Sequence, residues 1–142
     1  MRLEVKELSF AYERNEKQIL QDFNFKIESG ERVGVAAPSG FGKTTLCKLI
    51  AGYLEPDKGS ILLDERSLFS YQRYCPVQMI WQQPEQAVNP YLRMRDIIAE
   101  GDEVEERILE GLGIRPDWME RFPGELSGGE LQRFCIARAL GR

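Results

Sequence analysis

Histidine is absent from the 142 residues, which removes the commonest general base at neutral pH and excludes a histidine-ligated metal. Cysteine is scarce. Cys47, Cys75 and Cys135 are odd in number and show no CxxC spacing, so neither a disulfide framework nor a zinc site is indicated and a reducing compartment fits. All three read as small apolar fillers. No run approaches the ~20 apolar residues of a membrane span, and Met1-Arg2-Leu3-Glu4-Val5-Lys6 carries charges where a secretory signal needs an apolar stretch. A basic surplus is lacking too. With 19 Lys plus Arg against 23 Asp plus Glu, nothing favours a nucleic-acid backbone or an acidic lipid surface as partner. Repeats and low-complexity tracts are also missing. What remains is a mildly acidic chain of one ordinary domain's length, long enough to bury a core and expected in the cytoplasm.

Leu3 and Val5 alternate with Glu4 and Lys6, and Phe23, Phe25 and Ile27 alternate with Asn24, Lys26 and Glu28. That period of two predicts half-buried antiparallel strands. Ser29-Gly30 offers a turn into Val33-Gly34-Val35-Ala36-Ala37, a continuous apolar run of the kind found in a strand covered on both faces. From Lys43 the spacing of Leu46, Leu49 and Ile50 predicts a helix with Gly52 as its stop. Short strands are expected at Ile61 and Leu63 and from Val77 to Trp81. Glu103 to Leu112 then places Val104, Ile108, Leu109 and Leu112 on one helix face and the acidic residues on a solvated opposite face.

The predicted strand at 33–37 runs into Ala37-Pro38-Ser39-Gly40-Phe41-Gly42-Lys43-Thr44-Thr45, which fits the Walker A pattern GxxxxGK[ST] except for Ala37 at its first glycine. Glycines in such a loop let backbone N–H groups converge on phosphate oxygens at the positive end of the following helix. Alanine is comfortable only at negative φ, so an intact loop requires Ala37 in extended or helical backbone space. Some eighty residues on stands Leu126-Ser127-Gly128-Gly129-Glu130-Leu131-Gln132-Arg133. Ser127 and Glu130 spell a capping box. Capping leaves the tandem Gly128-Gly129 unexplained, because two glycines weaken a helix where its first turn must form. They do allow an anion close approach to bare amides, with the serine hydroxyl as a further donor.

The two motifs in this order resemble the ATP-binding cassette (ABC) family. The resemblance spans the whole chain, and around Val77 to Gly101 and Leu131 to Leu140 it is similar to the ATPase subunits of oligopeptide, dipeptide and nickel importers. It implies an α/β P-loop nucleoside triphosphate hydrolase fold with an antiparallel β subdomain and a helical signature subdomain. The part to about residue 81 would hold the nucleotide-binding β and P-loop region, and residues 82–142 the glutamine loop, helical subdomain and signature helix. Members of the family continue beyond a position matching Gly141-Arg142 with a strand bearing a magnesium aspartate and a catalytic glutamate, so a C-terminally truncated cassette is expected.

The resemblance also assigns roles. ATP would be bound by Ser39, Gly40, Gly42, Lys43, Thr44 and Thr45, with Tyr12 stacking on adenine and Phe10 left to the core. Thr44 and Gln82 would contact Mg, Gln82 also sensing the attacking water, although Gln83 stands where the family has an acidic or amide residue. Ser127, Gly128 and Gly129 would cap the nucleotide of a second ATPase subunit in trans. A membrane permease would be met near Gln83 to Ile98, which puts the protein at the inner face of the cell membrane. Two further functions compete: a non-hydrolytic nucleotide-binding or interaction fragment, and a soluble P-loop kinase or GTPase, which has no need of Leu126 to Arg133. Glu125 and Glu130 are rejected as replacement bases, so the chain alone is expected to be inactive in hydrolysis.

Overall fold

In the computed structural model, which describes residues 1–14, 17–72, 75–101 and 103–141, the alternating stretches pair as strands. β1 (Arg2–Phe10) and β2 (Leu20–Glu28) run antiparallel with Val5 opposite Phe25, and β2 turns Phe23, Phe25 and Ile27 inward while their neighbours face water. β3 (Lys58–Leu63) lies antiparallel on the other edge of β1, and β4 (Arg66–Ser67) closes a sheet of order β2-β1-β3-β4. The β3–β4 hairpin turns on Asp64 and Glu65, both at positive φ, as a two-residue primed turn requires. Helix α1 (Lys43–Ile50) supplies Leu46 and Leu49 to the core of Val5, Leu8, Phe10 and Ile61. Its end is a Schellman closure. Gly52, at φ +77°, donates to the Leu49 carbonyl and Tyr53 to that of Lys48, which satisfies carbonyls the helix leaves open.

These elements lie in one compact unit, Met1–Gln78; a second comprises Met79–Arg142. In the second, α2 (Met94–Ile98), α3 (Glu106–Gly111) and α4 (Gly128–Leu140) surround Met94, Ile97, Trp118, Leu131 and Phe134. Val104, Ile108, Leu109 and Leu112 pack against this core as their spacing predicts, although the helix is shorter than the 103–112 stretch and begins after Glu105. No helix among the described residues is long and apolar enough to cross a membrane.

Three expectations are corrected. Val33 to Ala37 forms no strand: no described strand pairs with it, and Val33 and Val35 are 53% and 55% exposed. A strand exists only through its partner, and without one the apolar run stays outside the ladder. Val77 to Trp81 is likewise unpaired. Cys47 faces solvent on α1, whereas Cys135 is buried and Cys75 packs against the first core, burial raising the pKa of both thiols. The polar turn expected at 13–17 includes Asn15 and Glu16, which, like Arg142, lie outside the described residues.

Candidate functional site

A helix leaves its first amides without intrahelical partners. In α1 the first helical bond recorded after the loop runs from the Leu46 amide to the Gly42 carbonyl at 2.9 Å, so the amides of Lys43, Thr44 and Thr45 belong to the open first turn. No acidic side chain and no capping side chain competes for them. Gly42 sits at φ +87° as the N-cap, and a Cβ there would come within 2.6 Å of Ile19 Cγ2. Both the backbone sign and the close approach demand glycine. Ala37 is not among the positive-φ residues, as an intact loop requires.

Lys43 folds back over this loop. Its ammonium donates to the Ala37 and Pro38 carbonyls, the latter at 3.0 Å, so a cation is already held across the strip of backbone that leads into α1. Thr44 is exposed, whereas Thr45 is buried and its hydroxyl shares a hydrogen bond of 3.0 Å with the Tyr12 hydroxyl. Any contact of Thr45 with an anion therefore falls to its amide. That same bond tethers Tyr12, which is 52% exposed and whose ring packs edge-on against Phe10 with centroids 5.1 Å apart. Phe10 itself is in the core, and the open ring is that of Tyr12. Ser39 and Gly40 are exposed, Gly40 at φ +84°.

The remaining sequence-predicted residues lie in the second unit. Gln82 is exposed between Trp81, whose carbonyl accepts from Gln132 Nε2 at 3.2 Å, and the 3₁₀ turn Pro84–Gln86, where Gln86 donates to the Gln83 side chain. At the start of α4 the capping box forms in full. The Ser127 hydroxyl accepts from the Glu130 amide at 3.2 Å, and the Glu130 carboxylate accepts from the Ser127 amide at 2.9 Å. Those bonds from Ser127, backbone first, hold the Glu130 pKa below its ordinary value. Gly128 and Gly129 have no positive φ, and a Cβ on either would meet nothing within 4 Å. Nothing in the fold of the described chain calls for glycine at either place.

No group of histidine, cysteine, aspartate and glutamate suited to a metal ion exists among the described residues. The donors at hand are hydroxyl, amide and carbonyl oxygens, which suit a hard cation carried in with phosphate. Sequence reasoning missed Ile19, which fixes Gly42, and the hydroxyl pair of Tyr12 with Thr45. Neither leaves a local signal, since each contact is made between separate stretches of chain.

A family model described as ABC transporter matches residues 20–142. An oligopeptide transport ATP-binding protein OppF of Streptococcus mutans is 34% identical over 97% of this chain and 52% of its own length. The nickel import ATP-binding protein NikE of Rhodospirillum rubrum is 34% identical over 87% of this chain and 51% of its own. The chain thus spans about half the length of the curated relatives it matches. Among solved structures, the ATP-binding cassette MJ0796, a dimer in a post-hydrolysis state with ADP and phosphate, superposes with a TM-score of 0.78 at 23% identity over 98% of this chain and 69% of that one. A P-loop preceding a capped double-glycine helix, on a fold shared with known cassettes, agrees with the sequence match over most of the length: this chain belongs to the ABC transporter family.

Proposed function

We propose that the chain is the nucleotide-binding portion of an importer's ATP-binding subunit, one that couples ATP binding and hydrolysis to movement of a separate permease. One observation carries this reading. Gly128 and Gly129 lower the propensity of α4, yet neither φ nor packing among the described residues requires them. Glycines that serve no internal purpose, beside a hydroxyl at a helix N-terminus, fit a surface kept bare for a phosphate arriving from outside.

In this reading the open amides of α1 and Lys43 hold the β and γ phosphates, exchanging the ammonium's carbonyl partners for charged oxygens. The Thr45 amide reaches the α phosphate, Thr44 offers a hydroxyl to Mg, and Tyr12, held by Thr45, stacks on adenine. Mg would neutralise charge developing between the phosphates. Gln82 addresses metal and water by its exposed amide. Ser127, Gly128 and Gly129 meet the nucleotide of a second ATPase subunit, a use in trans that is in keeping with the dimeric state of the neighbour bound to ADP and phosphate. Residues 83–98 form the permease contact, which would hold the protein at the cytoplasmic face of a membrane. Peptides or nickel are the proposed cargo, on the strength of the relatives' names.

The test is titration of the 142-residue chain with a fluorescent ATP analogue. Wild type binds, Lys43→Ala loses most of the affinity, and Tyr12→Ala weakens it by about 1 kcal/mol or more, the scale of a stacked base. Equal binding by wild type and Lys43→Ala overturns the proposal.

A further inference from the structure

Three side chains of α4 reach backward to three carbonyls at a constant offset along the chain. Gln132 donates to the Trp81 carbonyl at 3.2 Å, the Cys135 thiol to that of Pro84 at 4.0 Å, and Arg138 Nη2 to that of Ala87 at 2.7 Å. Residues three apart follow one stripe of a helix, and the stretch they bind, which includes the 3₁₀ turn Pro84–Gln86, advances by the same three-residue step. The rungs grip backbone rather than side chains, so they fix the path of 81–87 whatever its residues are. Gln82 and Gln83 hang free of that grip between the first two rungs, both exposed.

Arg138 differs from the other two. Its side chain is only 17% exposed, and while Nη2 holds Ala87, Nη1 pairs with Glu100 Oε2 at 3.1 Å. Those two anchors bracket the stretch 88–99, which includes the strongly exposed Tyr91 and helix α2. The guanidinium thus ties both ends of one surface segment to the helix whose first turn carries Ser127, Gly128 and Gly129. A planar fork can serve two acceptors at once, which a lysine ammonium in the same place cannot do with the same geometry.

We infer that Arg138 is a positioning residue that makes residues 81–100 and α4 move as one body, so that displacement of the permease-facing segment is delivered to the signature glycines and to Gln82 together. The inference rests on the roles proposed above for those segments, but its physical content is the rigidity of the clasp. Mechanical coupling of this kind needs a stiff link at both ends of the driven segment. Arg138 adds a polar link at each end of that segment to the apolar packing of α2 on α4, and the Gln132 and Cys135 rungs keep the loop in register with the helix.

The experiment uses the 142-residue chain with Cys47→Ser and Cys75→Ser, buried Cys135 left in place, and spin labels on Tyr91→Cys and Gly128→Cys. Wild type at position 138 gives a narrow distribution of label-to-label distances by pulsed electron resonance. Arg138→Met and Arg138→Lys broaden it, and Glu100→Gln broadens it less. Hydrogen exchange at the Gln86 and Ala87 amides, which bond within the 3₁₀ turn, becomes about tenfold faster in Arg138→Met, the scale of a lost charge-assisted hydrogen bond. Leu131→Ala, a core truncation, lowers the thermal midpoint without broadening the distances, which separates positioning from general stability. If Arg138→Met fails to fold, Arg138→Lys and Glu100→Gln carry the test. Unchanged distance widths in folded Arg138→Lys, or full rescue of Arg138→Met exchange by lysine, overturn the inference. Neither measurement involves nucleotide or permease, so failure here is distinct from failure of the ATP titration.

Discussion

Replacing both Gly128 and Gly129 by alanine should make the protein more stable while removing the activity those glycines serve. Both residues lie in the first turn of α4 at ordinary φ, and an added Cβ on either meets no atom within 4 Å. The capping bonds between Ser127 and Glu130 involve neither side chain. The substitution therefore restricts the unfolded chain and adds no clash, which is worth about 0.5–1 kcal/mol per site. For a unit as small as Met79–Arg142, a combined gain of about 1–2 kcal/mol raises the melting temperature by about 7–15 °C. Urea unfolding followed by circular dichroism reads the stability. Sedimentation velocity with ATP and magnesium reads self-association, which the methyl groups should suppress by covering the bare amides. A destabilised double mutant would show that the glycines are demanded by the fold, and a stabilised mutant that still associates with nucleotide would show that they face no phosphate.

Within the P-loop, Gly40 and Gly42 share nearly the same φ but not the same surroundings, so their alanine variants separate backbone strain from steric contact. Gly40→Ala should cost about 1 kcal/mol and Gly42→Ala about 2–4, the excess being the Ile19 clash, as measured by thermal unfolding. Since the folded-state pKa of Glu130 is depressed by Ser127, its contribution is present above the unfolded value and is lost as pH falls through the folded one. Melts between about pH 6 and 3 should show α4 weakening on the acid side, and Glu130→Gln should flatten that part of the slope. ATP turnover by the 142-residue chain should equal that of its Lys43→Ala control in a phosphate-release assay. The two glutamates weighed as a replacement base, Glu125 and Glu130, each accept a backbone amide at the start of a helical turn, at 2.7 and 2.9 Å.

Legibility followed the range of the interactions. The capping box, the Gly52 stop and the alternating inward face of β2 are each decided within a few residues, and each stands where the pattern put it. Contacts between distant stretches left no pattern to read. Ile19 is one isoleucine among several until the fold brings it beneath Gly42, and Arg138 is one more residue of a helical pattern until its reach to Ala87 and Glu100 is known. The acidic helix illustrates both limits. Its apolar face was readable from spacing, but its first turn was not, because the helix starts only where Glu105 provides the extended backbone of an N-cap.

The failed strand at Val33 to Ala37 bears most on the site, because the loop behind it keeps its form without the support a paired strand would give. Lys43 reaches back to the Ala37 and Pro38 carbonyls, Gly42 is pinned against Ile19, and Ile19 is itself held by its amide on the Phe10 carbonyl at 2.8 Å. Helix α1 is anchored by Leu46 and Leu49 in the core and closed at its far end by Gly52 and Tyr53. The constraint on the phosphate loop therefore comes from its C-terminal side and from the β1–β2 connection rather than from the residues that lead into it. On that account, Val33→Ser with Val35→Ser should raise solubility by removing two exposed apolar side chains while leaving nucleotide affinity nearly unchanged. A large loss of affinity in that double variant would show that the segment before the loop does set its geometry.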